Sequence, residues 1–202
     1  MTTPQQALTP NHATGVVMII AAVLSVFVMA HHPTGATHAG LAEGVHGAMM
    51  TFTLLLVAGF IQFSLRRGVD RFVISAAMVA YCAGAIGNLL AALISGFVMT
   101  ALVARDVGVD VKAFAWALNQ AAAYGAVYAF SVAFALWGGD LTFRGRGFDR
   151  VVGIVGLIAG AVPVFALASG ALKMNVSGAF IVYALQAAFS VSIGVWLFRG
   201  RG

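Results

Sequence analysis

The side chains best suited to chemistry are five histidines, all within the first 46 positions: His12, His31, His32, His38 and His46. The last four share one connection with Glu43, and the thioethers of Met29, Met49 and Met50 lie close by in sequence. Glu43, His46 and Met50 are spaced i, i+3, i+7, which puts a carboxylate, an imidazole and a thioether on one helical face. Imidazole with carboxylate suits zinc, and imidazole with thioether suits copper. His31, His32, His38, Glu43, His46 and Met50 are therefore a candidate ligand set for either metal. The spacing is neither that of an HExxH helix nor that of a Cys and His finger. Haem fits less well: His31 or His32 with His46 offers one axial pair, but no histidine follows His46, which excludes two haems stacked across a membrane. The same imidazoles also suit a water-solvated interface with no ligand, or a pH sensor titrating near neutrality.

A second set of residues is polar without charge. Asn88, Asn119, Gln120, Tyr124, Tyr183 and Gln186 stand in otherwise apolar stretches, where hydrocarbon offers them no partner. Read as helices of alternating direction, these stretches place all six in the same half of a bilayer. Asn119 and Gln120 fall about 10 Å below its surface at 1.5 Å per residue. The expectation is a ligand cavity lined by these side chains, with the histidine connection as its mouth. Interhelical hydrogen bonds, at about 0.6 kcal/mol each, are the structural alternative.

The elements that must position these groups are membrane spans. The chain has 202 residues, 61% hydrophobic and 8% charged, with a mean hydropathy of +0.99, against roughly 25% charged in soluble proteins. Six stretches are long and apolar enough to cross as helices, at about 14 to 31, 45 to 65, 72 to 97, 113 to 138, 151 to 170 and 177 to 198. Pro33, Gly35 and Gly40 mark the first connection as a turn, and Pro163 is expected to kink the fifth span. The domain organisation that follows is a short cytoplasmic N-terminus (1–13), a single six-span domain (14–198) and a cytoplasmic C-terminus (199–202).

Direction comes from Lys and Arg. Arg66, Arg67, Arg71, Arg144, Arg146, Arg150, Arg199 and Arg201 fall on one side, and only Arg105, Lys112 and Lys173 on the other. The positive-inside rule puts the first group in the cytoplasm of a bacterial-type inner membrane and the histidine connection outside. Trp137 and Trp196 are then expected at the inner interface and Trp116 at the outer, as an aromatic belt. The net charge of +5 is thereby assigned to topology, with no basic stripe for nucleic acid. Residues 1–13 lack Lys and Arg, so the first apolar stretch is expected to be retained rather than cleaved as a signal peptide. Cys82 is the lone cysteine, so no intramolecular disulfide forms.

RGVDRFV (Arg67 to Val73) and RGFDRVV (Arg146 to Val152) occur in alternate connections, which suggests three parallel helical-hairpin repeats. Gly84, Gly87, Gly153, Gly156 and Gly160 would let helix backbones approach closely, within one chain or between copies of a homo-oligomer. The expected fold is an all-α six-helix transmembrane bundle. The expected function is binding of a metal ion, copper or zinc, or of a small ligand at the non-cytoplasmic histidine connection and the cavity beneath. The alternatives are an accessory subunit of a larger membrane complex and an uncoupled facilitator of a small uncharged solute. No ionisable residue is expected at mid-membrane, which counts against an ion-coupled pump and leaves any catalysis to the outer rim, at Glu43 and the histidines.

Overall fold

The computed structural model describes residues 10–32 and 39–200. Among these the chain is helical throughout: α1 (Pro10–Ala30), α2 (Ala39–Arg67), α3 (Phe72–Leu93), α4 (Met99–Ala104), α5 (Val109–Arg144), α6 (Phe148–Ala168) and α7 (Val176–Phe198). A π turn, Ile94–Val98, carries α3 directly into α4. Six helices, with α3 and α4 counted as one, are long and apolar enough to cross a membrane. Phe27, Val79, Ile86, Val132 and Phe165 stand exposed on the outer surface, where lipid suits them better than water.

The helices close into a ring. Each packs on its neighbours in chain order, and α1 packs along α7 to complete the circle. Small residues set the tightest crossings. A β-carbon at Gly15 would stand 2.5 Å from the Gly194 carbonyl oxygen, joining α1 to α7, and one at Gly138 would stand 2.6 Å from the Leu157 nitrogen, joining α5 to α6. Gly153, Gly156 and Gly160 line the α6 side of that second crossing, and Gly84 and Gly87 admit α5 against α3. All five glycines singled out by sequence therefore serve contacts within the chain.

At the ring's centre is an aromatic core. Phe60 stacks on Trp137 with centroids 4.8 Å apart and planes 9° from parallel, and Phe63 meets the Trp196 edge at 5.3 Å. Trp137 and Trp196 are thus buried, at 0% and 1% exposure, rather than members of an interfacial belt. Their rings point into the bundle because α5 and α7 turn those faces inward. Trp116 alone keeps an exposed position.

Helix boundaries move relative to expectation, and the third span runs on through α4 to Ala104 instead of ending at 97. α2 begins at Ala39, so Gly40 belongs to a helix and not to the turn. α5 continues through Gly138 and Gly139 to Arg144, well past 138. Gly68 and Gly147 both take the left-handed φ that their basic turns require, at +91° and +54°. The two similar strings otherwise diverge: Arg71 precedes α3, whereas Arg150 lies inside α6.

Candidate functional site

The helix ends opposite the arginine-rich turns surround one cavity of about 150 Å³, room for about five waters at ~30 Å³ each. α1 and the residues after it supply Met29 and His32, α2 supplies His46 and Met49, and α3 supplies Asn88. Trp116, Asn119 and Gln120 come from α5, and Tyr183 and Gln186 from α7. The N-terminus of α7 is pinned at this wall by Asn175, whose side chain accepts a hydrogen bond from the Gly178 N–H at 2.9 Å. A smaller void of about 30 Å³ shares several of these residues and reaches Ser25, Thr53 and Ser190. Phe130 and Phe134 of the aromatic core close its floor.

His32 and His46 meet in the cavity lining, Nε2 to Nε2 at 3.3 Å, with rings 4.9 Å apart and 81° from parallel. The Nδ1 of His46 lies 2.7 Å from the Ala42 carbonyl, one turn back on α2. A carbonyl only accepts, so in the neutral ring Nδ1 carries the proton and Nε2 presents its lone pair to His32. Gly96 in the π turn packs against the His46 ring, which is 8% exposed as a residue. Π turns of this kind recur at functional sites.

Asn88 anchors the cavity's inner wall. Its carbonyl accepts from the Tyr183 hydroxyl at 2.5 Å, and its amide donates to Thr53 Oγ1 at 2.9 Å. Thr53 in turn donates to the Met49 carbonyl at 2.9 Å, so α2, α3 and α7 are tied by one polar chain. For this pair the structure shows interhelical hydrogen bonding within the wall of a cavity. Asn119 differs. It is 5% exposed, and its Oδ1 has no hydrogen-bond partner among the described residues.

Several residues expected at the site lie elsewhere. Tyr124 packs with the apolar group of Val127, Leu167 and Val182. Five residues beyond Asn119, it falls on the shoulder of α5, and Ala123 and Val127 take the cavity face instead. Met50 is half-buried but off the cavity, and Met49 takes its place because α2 turns its His46, Met49, Thr53 stripe inward. Glu43 is exposed. His31 is exposed too, with Nδ1 2.8 Å from the Phe27 carbonyl. His38 lies outside the described residues. No group of three His, Cys, Asp or Glu side chains converges among the described residues. His12 sits in the first turn of α1 at the opposite end, 5.3 Å from the Phe198 ring.

That opposite end holds a charged cluster that sequence reasoning missed. The Asp140 side chain is 1% exposed and takes Arg67 Nη2 at 2.5 Å and Nε at 3.1 Å. Arg71 also bonds it, and Arg144 Nε lies 3.7 Å away. Nearby, the Trp196 indole donates to Asp149 at 2.9 Å, and the Arg66 guanidinium lies 5.7 Å from the Trp196 ring centre. The signal in the sequence was Asp140 four residues before Arg144, facing two arginine-rich turns.

Compared with protein-family models, curated proteins and solved structures, the chain matches none.

Proposed function

We propose that this chain is a multi-pass protein of a bacterial-type inner membrane, with its arginine-rich end in the cytoplasm, that binds a small uncharged polar ligand in the cavity at its other end. The observation that carries this reading is the Asn119 carbonyl. A buried acceptor left unpaired costs about 1–3 kcal/mol, and this is the one such atom among the described residues that belongs to the cavity wall. Gln120 and Gln186 add amides to the same wall, and Trp116 adds an apolar surface. Such a lining favours a neutral molecule with both donor and acceptor groups. The eight-to-three arginine and lysine asymmetry supports the orientation.

Two measurements test it. In a Cys82→Ser background, Asn119→Cys should react with a membrane-impermeant methanethiosulfonate added from outside the cell. Reaction from the cytoplasmic side alone, or from neither side, overturns the reading. In detergent, a panel of small amides and polyols should contain a compound that raises the melting temperature of the wild type but not that of Asn119→Leu.

A further inference from the structure

We propose that the His32–His46 pair at the cavity's rim is a binding site for monovalent copper, completed by the thioethers of Met29 and Met49. Three observations converge. The first is a distance: two nitrogens bound at 2.0–2.1 Å around a tetrahedral ion stand about 3.3 Å apart, and the two Nε2 atoms are separated by 3.3 Å. The second is the orientation of His46. Its Nδ1 is held by the Ala42 carbonyl at 2.7 Å, the arrangement by which outer-shell carbonyls fix a ligating histidine in the tautomer that exposes its other nitrogen. The third is the company the pair keeps. Met29 and Met49 each lie three residues from one of the histidines, both are buried at 6% or less, and both line the same cavity.

The donor chemistry selects the ion. Zinc sites favour carboxylate and thiolate beside imidazole, and Glu43 is turned to the outside while Cys82 sits on α3 away from the cavity lining. Two imidazoles with two thioethers form a soft, neutral set, which suits a soft monovalent ion. A neutral set also adds no charge to a site near the membrane, so the bound ion contributes only its single positive charge. Without metal, the His32 Nε2–H donates a hydrogen bond to the Nε2 lone pair of His46. With the ion bound, His32 takes the other tautomer, Nε2 giving up its proton as Nδ1 gains one, so the ring stays neutral and its Nε2 lone pair is free for the metal.

This site stands at the rim and does not depend on the ligand reading of Asn119. The test uses full-length protein purified without a histidine tag and titrated with Cu(I) against bicinchoninate under reducing conditions. One copper per chain is expected, with sulfur and nitrogen in its X-ray absorption shell. His46→Ala should weaken binding about 100-fold, the double variant Met29→Leu/Met49→Leu about tenfold or more, and Asn119→Leu not at all. Leucine conserves the volume of methionine, so the double variant reports on sulfur even if His46→Ala misfolds. No copper bound, a shell without sulfur, or unchanged affinity in the double variant overturns the proposal. Loss of copper binding in Asn119→Leu alone would also overturn it, because the cavity and the rim would then be one site.

Discussion

Gly96 and His46 are in contact so close that a β-carbon on the glycine would stand 2.5 Å from the His46 Cβ and 2.8 Å from its Cγ. Both neighbours are fixed, one by the π turn and the other by its bond to Ala42. Gly96→Ala should therefore push the imidazole away from His32 while leaving every proposed copper donor in the chain. The expected outcome is about a tenfold or greater loss of Cu(I) affinity with the melting temperature lowered by only a few degrees. Unchanged affinity would show that the rim tolerates a displaced His46.

Asn119→Leu separates a ligand-binding amide from a structural one. Removing an unpaired buried acceptor relieves a penalty of about 1–3 kcal/mol, so the variant should unfold at the same or higher denaturant concentration than wild type. A loss of stability would mean that the carbonyl has a partner inside the protein.

Tyr183→Phe behaves in the opposite sense. It deletes the 2.5 Å bond to Asn88 and leaves that carbonyl without its donor. Destabilisation of about 0.6–1 kcal/mol is expected in micelles, readable as a shift in an SDS-unfolding midpoint.

Asp140→Ala should be the most damaging substitution at the arginine-rich end. Arg67 and Arg71 side chains are 16% and 28% exposed, so removing their shared carboxylate strands two partly buried cations. The expected loss is about 3–5 kcal/mol. A change below 1 kcal/mol in unfolding free energy would show that water reaches the guanidinium groups freely.

Gly138→Val tests the α5–α6 crossing. The added side chain would meet the Leu157 nitrogen and the Gly153 carbonyl oxygen, at 2.6 and 2.7 Å from its first carbon. Backbone cannot move aside as a side chain can, so destabilisation of at least about 1–3 kcal/mol is expected.

How far the site can be read without coordinates depends on which physical signal a residue leaves. Asn88, Asn119, Gln120, Tyr183 and Gln186 stand out because a polar group in an apolar stretch must face something other than lipid, and depth follows from counting along alternating helices. The structure brings these five to one cavity. Rotation about a helix axis is a different matter. Tyr124 and Met50 have the right spacing, yet the packing of α5 and α2 on their neighbours turns Val127 and Met49 inward instead. Trp137 and Trp196 have the right depth for a belt but are claimed by the aromatic core. Asp140 escaped notice because the expected span ends at 138, two residues before it, whereas α5 runs on to Arg144. Neither the contact of Gly96 with His46 nor the π turn that presents it has a sequence signature, since both arise from the meeting of α2 with α3.

The seam between α1 and α7 has a bearing on how the protein is made. α1 packs on both α2 and α7, so the face around Gly15 that α7 covers stays open until residues 176–198 have been made. Until then the basin that holds Asn119 lacks one wall and the circle stands open like an unclasped bracelet. Closure of the circle therefore waits on a single helix, α7.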